Sequence, residues 1–130
     1  MNTKFYICDH CKNVITFAHN SEVPISCCGE PMKELIPNTT EAATEKHIPI
    51  VERNGIKVTV SVGETEHPMT EEHSIEWLAV ETDDELILKR LKPNEAPKAE
   101  FFVGENKKIT VFAYCNLHSL WKNEKGSGII

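Results

Sequence analysis

Cysteines are the side chains in this 130-residue chain best suited to holding a metal, and they are unevenly placed. Four of the five lie in the first 28 residues, as Cys8, Cys11, Cys27 and Cys28. A C-x-x-C pair joined by a second cysteine pair supplies four thiolates, a donor set typical of tetrahedral zinc or iron. The fifth, Cys115, stands three residues before a histidine. The pattern therefore predicts two metal sites of different chemistry.

The second cysteine pair is unusual because its members are adjacent. Neighbouring side chains of an extended segment point apart, so Cys27 and Cys28 can bind one ion only where the backbone bends. Gly29 can relieve that bend, and we expect a distorted tetrahedron. Iron there would pass one electron without a change of ligands, whereas zinc would only fold the module, and spacing leaves both open. A disulfide framework is the weaker interpretation, because the cysteine count is odd and no secretion signal is evident.

Four of the six histidines stand in contexts that suit metal ligands. They are His47, His67, His73 and His118. Pro68 biases His67 towards an extended backbone, and Thr70 can cap a short turn that brings His73 back towards His67. Cys115 ends a predicted strand, and a turn after it would return His118 to the same point. The remaining histidines are predicted to lie on the surface.

These five side chains would make a reactive iron site. Four neutral imidazoles and one thiolate around ferrous iron leave a formal charge of plus one and an open octahedral position, which attracts a small anion. A thiolate opposite that position donates electron density to the metal, as the axial cysteine of P450 haem does. Zinc would be satisfied by four ligands and leave one residue idle. Taken singly, each histidine could instead be a loop or core residue, and Cys115 a small buried apolar group.

Composition limits the partners of the chain. Its 14 basic and 20 acidic residues and its pI near 5.5 argue against a nucleic-acid surface, which needs clustered Lys and Arg. No apolar run approaches the roughly 20 residues of a membrane span, and the N-terminus has no apolar signal region. We therefore expect a cytoplasmic protein that binds neither nucleic acid nor membrane.

The chain is predicted to form two domains, both rich in β-structure. Residues 1–36 are too few to build a core without a metal, so we expect a small metal-folded module followed by a larger domain over residues 37–130. In the larger part, Val58, Val60 and Val62 alternate with polar residues, as in a half-buried strand, after a turn signal at Asn54–Gly55. Further strands are predicted at 47–52, 75–80, 85–91, 99–103 and 109–115. Six or seven such strands favour an antiparallel β-sandwich.

Together, these motifs resemble those of desulfoferrodoxin, the two-iron form of superoxide reductase, over essentially the whole chain. The cysteine-rich start is similar to its desulforedoxin-type module. Three further segments resemble those that build its catalytic iron site. They are Glu45–Pro49, His67–Met69 with His73, and Cys115–His118 with Trp121.

The resemblance implies an immunoglobulin-like sandwich and two irons per chain, Fe(Cys)4 and Fe(His)4(Cys). The first would be held by Cys8, Cys11, Cys27 and Cys28, and the second by His47, His67, His73, His118 and axial Cys115. Lys46 would steer superoxide and position a proton-donating water, and Glu45 would ligate the resting ferric iron. An electron donor such as rubredoxin and a homodimeric state are also implied. The family usually has glycine after the last histidine, where this chain has Ser119.

Two other functions are compatible with the same residues. One is a non-enzymatic iron electron carrier whose second centre has no open position. The other is a zinc-folded module that binds protein partners. Superoxide consumption distinguishes the first from an enzyme, and the colour of the protein distinguishes the second, because zinc sites are colourless.

Overall fold

The computed structural model describes residues 2–40, 47–63 and 67–124. The chain divides into two compact units, one over residues 2–36 and one that begins at Pro37. The described residues form strands, turns and irregular segments. Among them no helix has the length and apolar character needed to cross a membrane.

The small unit is built from five short strands. They are β1 (Phe5–Ile7), β2 (Val14–Thr16), β3 (Ser26–Cys27), β4 (Glu30–Pro31) and β5 (Lys33–Glu34). One antiparallel sheet has the order β2-β1-β5, and β3 and β4 form a separate hairpin. Of residues 2–36, only Phe5, Cys8 and Leu35 are buried. So small a core cannot stabilise the unit by itself, in agreement with a fold that depends on a metal.

The large unit is an antiparallel sandwich of seven described strands. They are β6 (Pro49–Asn54), β7 (Lys57–Val62), β8 (Ile75–Glu81), β9 (Leu86–Arg90), β10 (Lys98–Phe102), β11 (Thr110–Cys115) and β12 (Ser119–Asn123). One sheet has the order β10-β7-β6 and the other β12-β11-β8-β9. The predicted mostly-β sandwich is confirmed.

The core of the sandwich is formed by the inward faces of both sheets. Val58, Val60 and Val62 are at most 1% exposed, as their period-two pattern predicts. They pack with Val80, Val111 and other apolar residues of the opposite sheet in one buried cluster. Cys115 belongs to this cluster, so the sandwich core extends to the candidate metal ligands at one end of β11.

Two hairpins show how local sequence sets the register. Asn54 pairs with Lys57, which leaves Gly55 and Ile56 as a two-residue turn. Gly55 has a φ of +64°, as the first central residue of a type II′ turn requires, so the predicted turn is confirmed. Strand β12 was not among the predicted strands, because its sequence has no clean period of two and both Leu120 and Trp121 are buried.

Candidate metal centres

The four cysteines of the small unit converge on one point. Their sulfur atoms all lie within 4.8 Å of one another, and none forms a disulfide. The sulfurs of Cys11 and Cys27 are 3.6 Å apart. Four sulfurs at about 2.3 Å from a common tetrahedral ion would be about 3.8 Å apart, so this donor set fits one ion.

A tight turn positions the first cysteine pair, Cys8 and Cys11. The amide of Lys12 donates to the carbonyl of Cys8, and the amide of Cys8 donates to the carbonyl of Asn13, both at 2.9 Å. Lys12 completes the turn with a φ of +68°. The amide of Cys11 then points at the sulfur of Cys8, 3.5 Å away. The backbone therefore directs the first two thiols towards the same side of the turn.

The adjacent cysteines are separated by a hairpin turn. Cys27 ends β3 and pairs with Glu30, so Cys28 and Gly29 form a two-residue turn. Their φ values are +54° and +80°, the two positive angles of a type I′ turn. Because Cys28 lies in the left-handed region, its thiol turns to the same side as that of Cys27. The predicted bend at this step is confirmed.

Crowding of the thiols separates their pKa values. The backbone N–H of Cys11 lowers the pKa of Cys8 to about 6, whereas hydrogen bonds with the thiols of Cys8 and Cys11 raise the pKa of Cys28 to about 12. Of these two thiols, Cys8 is therefore the first to lose its proton. The thiol of Cys28 must lose its proton as an ion binds, so metal binding should release protons.

Four imidazoles form a closed circuit at one end of the large unit. The ring centres of His47 and His67, and of His67 and His73, are 4.7 Å apart. His118 completes the circuit at 5.1 Å from His73 and 4.9 Å from His47. Each ring meets its neighbours at 77° to 89°. Cys115 joins this group, because its sulfur and one nitrogen each of His47, His67 and His73 lie within 4.8 Å of one another.

His118 faces this group through Nδ1. That atom is 3.1 Å from Nε2 of His47 and 3.9 Å from the sulfur of Cys115. Two nitrogens held at a right angle on one ion, with bonds of about 2.1 Å, would be about 3.0 Å apart. The spacing of His47 and His118 is therefore that of two neighbouring ligands.

His67 shows that the site suits a metal cation. Its Nδ1 lies 2.6 Å from the carbonyl of Pro68, which places the proton on Nδ1 and leaves Nε2 with a lone pair. That Nε2 is buried and has no hydrogen-bond partner in the described part of the chain. Burial, aided by the surrounding imidazoles, lowers the pKa of His67 to about 4. The ring is therefore neutral at pH 7, the form that binds metals.

The loop that carries His73 is held by its own backbone and by Asn116. Thr70 accepts a hydrogen bond from the amide of His73 at 3.0 Å and donates its own amide to the carbonyl of His73 at 2.9 Å, so the predicted turn is confirmed. The Asn116 side chain accepts from the amide of Ser74 at 3.0 Å and donates to the carbonyl of Glu72 at 2.9 Å. Sequence reasoning missed this role of Asn116, although asparagine in a turn is its signal.

Cys115 is aimed by an irregularity in the sheet. Tyr114 pairs with Trp77 but Cys115 pairs with Ile75, so Glu76 is an extra residue of β8 at this point. Such a bulge bends the strand and redirects the side chains beside it. The Cys115 sulfur is fully buried and accepts a hydrogen bond from the amide of His118 at 3.4 Å.

Burial raises the pKa of the Cys115 thiol, while the amides of His118 and Leu117 partly oppose that rise. A buried thiolate without a nearby cation is costly, because charge is poorly solvated in the core. A bound metal cation would supply the missing positive charge. The environment of Cys115 is therefore suited to a thiolate that exists as a metal ligand.

The turn after Cys115 ends in a strained residue. Ser119 has a φ of +68°, in the region where glycine carries no steric penalty. We predict that Ser119→Gly raises the free energy of unfolding by about 0.5 to 1 kcal/mol, measured by denaturant titration. Ser61→Gly, in the middle of β7, is the control and should destabilise the protein. A loss of stability in Ser119→Gly would contradict the assignment of strain to this residue.

The other residues considered in the sequence lie on the surface or outside the described part of the chain. His10 and His19 are exposed, as predicted, and Nε2 of His10 contacts a carboxylate oxygen of Glu30. Glu45 and Lys46 lie outside the described residues, so their predicted roles stay predictions.

Comparison with known proteins identifies the family of this chain. A family model described as desulfoferrodoxin matches residues 39–124. The desulfoferrodoxin of Nitratidesulfovibrio vulgaris is 44% identical over 123 residues, which are 93% of this chain and 95% of that protein. The desulfoferrodoxin homolog of Archaeoglobus fulgidus is 44% identical over 91% of this chain and 94% of its own length. The crystal structure of superoxide reductase from Treponema pallidum matches with a TM-score of 0.78 and 31% identity, over 95% of this chain and 99% of that one. The chain therefore belongs to the desulfoferrodoxin family.

Proposed function

We propose that this protein is a superoxide reductase. It adds one electron and two protons to superoxide and releases hydrogen peroxide, without forming dioxygen. The observation that carries the proposal is the circuit of four imidazoles with the buried Cys115 sulfur beside it. The match to the superoxide reductase from Treponema pallidum, which covers 95% of this chain, supports the proposal.

Each donor set is assigned one iron. Cys8, Cys11, Cys27 and Cys28 hold the first, in a module over residues 1–36. The second is held by His47, His67, His73, His118 and Cys115, in a catalytic domain over residues 37–130. Ferrous iron held by these five donors would supply the electron for superoxide.

The residues of the chain prepare the second centre for this reaction. His67 is kept neutral by burial and oriented by Pro68, so it is ready to bind a cation without first losing a proton. The amide of His118 donates to the Cys115 sulfur, which stabilises negative charge on that atom. Neutral imidazoles and one thiolate leave the centre with a net positive charge, which favours an anionic substrate.

The two residues that precede His47 in the sequence are assigned roles in binding superoxide and in the resting state of the iron. Lys46 attracts superoxide and positions a water that donates a proton, and its ammonium at a few ångströms contributes on the order of 1 to 4 kcal/mol of attraction. Glu45 is assigned as a ligand of the resting ferric state. Both assignments come from the resemblance of Glu45–Pro49 to the corresponding family segment.

Lys46 provides a test of electrostatic steering. Lys46→Ile should lower the second-order rate with superoxide by about 10-fold at low salt, and the deficit should shrink as salt is added. Lys98→Ile, an identical change at an exposed position of β10, is the control and should leave the rate unchanged. Pulse radiolysis measures both rates. An unchanged rate in Lys46→Ile at low salt would refute the steering role.

The proposal includes an electron donor, an oligomeric state and a location for the enzyme. A donor such as rubredoxin re-reduces the second iron, and the protein works as a homodimer in the cytoplasm, where thiols stay reduced. The small core of residues 2–36 favours association with a second copy, since so few buried side chains give little stability.

Metal analysis combined with a visible spectrum tests the function. The purified protein should contain two irons per chain, and superoxide added to the reduced form should restore the absorption of a ferric thiolate. A colourless zinc protein would support the zinc-folded module instead. An iron protein whose second centre is not oxidised by superoxide would support the electron carrier.

A further inference from the structure

Trp121 contacts two of the four imidazole-bearing residues through different parts of its side chain. Its ring lies against that of His47, with ring centres 4.9 Å apart and planes 23° from parallel. Its Nε1–H donates to the carbonyl of His118 at 2.9 Å. The side chain is 2% exposed, so both contacts are made in a buried environment.

We propose that Trp121 is a positioning residue of the histidine–cysteine centre, which holds His47 by its ring face and His118 by its N–H. The inference rests on the proposed iron site, and it adds a residue that is not itself a ligand. Trp121 touches no reacting atom in this assignment, and acts only through His47 and His118.

The stacked contact fixes the plane of the His47 ring. His67 and His118 meet that ring at 77° and 89°, edge to face, whereas Trp121 covers its face. An imidazole bound to a cation is poorer in electrons than a free one, and the indole face attracts positive charge. The stack should therefore be stronger when the metal is bound. Trp121 thus favours the metal-loaded state over the metal-free state.

The N–H contact fixes the backbone at His118. A buried indole N–H needs an acceptor, and here it takes the carbonyl of a ligand residue. That carbonyl begins the peptide to Ser119, whose positive φ closes the turn after Cys115. Holding it restrains the direction from which Nδ1 of His118 approaches its neighbours. Outer contacts of this kind usually change metal affinity or activity by 10- to 100-fold when they are removed.

Two substitutions separate these contributions. Trp121→Phe keeps a flat ring against His47 but loses the N–H, and Trp121→Leu loses both. Phe101 offers a matched control, because it is also a buried aromatic residue and its strand, β10, carries none of the ligands. Phe101→Leu removes a comparable buried ring from the same sandwich.

The rate of iron release gives the readout. The reduced, iron-loaded protein is mixed with a ferrous chelator, and samples are re-oxidised at intervals. The iron left at each centre is read from its ferric bands, which are assigned from Cys11→Ser and Cys115→Ser. We expect release from the histidine–cysteine centre to be about 10- to 100-fold faster in Trp121→Leu and intermediate in Trp121→Phe. Release from the four-cysteine centre should not change, and Phe101→Leu should match the unsubstituted protein at both centres.

Several results would overturn the inference. They are an unchanged release rate in both Trp121 variants, or an equal acceleration in Phe101→Leu, which would show a general effect of lost packing. If Trp121→Leu does not fold, Trp121→Phe alone decides, since wild-type release from that variant contradicts the role of the N–H in holding His118. Absence of iron from the histidine–cysteine centre of the unsubstituted protein would instead refute the proposed function itself.

Discussion

Cys115→Ser should lower the rate of superoxide reduction by more than about 100-fold, because loss of an outer contact alone commonly costs 10- to 100-fold. Serine keeps the size of the side chain but replaces a polarisable thiolate with a hydroxyl, which is a poorer donor to iron. The other four cysteines of the chain already belong to the four-cysteine donor set. Pulse radiolysis gives the rate, and the visible spectrum should lose the thiolate band of this centre.

The four-cysteine centre serves as an internal control in that experiment. Its spectrum should persist in Cys115→Ser, because its ligands belong to the other compact unit. Full activity in a folded, iron-loaded Cys115→Ser protein would contradict the role of Cys115 as a ligand needed for the reaction.

Cys11→Ser should unfold the small unit while the sandwich stays folded. With only Phe5, Cys8 and Leu35 buried among residues 2–36, this unit depends on its metal for stability. Structural metal ions contribute on the order of 10 kcal/mol to the folding of such small domains. Hydrogen exchange should show loss of protection over residues 2–36 and retained protection in β7, β8 and β11.

Activity in the same variant determines what the first centre does. Full activity with a chemical reductant and with the protein donor would make that centre structural, whereas loss with the protein donor alone would make it a relay of electrons. Retained protection of residues 2–36 in Cys11→Ser would contradict the dependence of this unit on metal. Trp77→Leu, which changes only the sandwich, is the control for the exchange pattern of the small unit.

Much of this architecture could be predicted from local sequence. The period of two in β7 and the Gly55 turn are set by neighbouring residues, so they were predictable without knowledge of the fold. The turn at Cys28 was predictable for the same reason, since two adjacent thiols can face one ion only across a bend. Thr70 likewise acts on a residue three positions away.

Features that depend on distant parts of the chain could not be predicted in this way. The bulge at Glu76 exists because β8 and β11 pair, and nothing in either segment alone indicates the shift. Strand β12 is defined by its pairing with β11, and the stack of Trp121 on His47 joins two residues that are far apart in the sequence. Such contacts follow from tertiary packing, which a pattern in one segment does not contain.

Reduced protein in excess over superoxide should consume it in an anaerobic vessel, and the ratio of the products identifies the reaction. Hydrogen peroxide and dioxygen are measured together. We expect one peroxide for each superoxide and no dioxygen, together with one oxidised histidine–cysteine iron for each superoxide consumed. One peroxide and one dioxygen for every two superoxides would show dismutation. That result would contradict a reductase built on His47, His67, His73, His118 and Cys115.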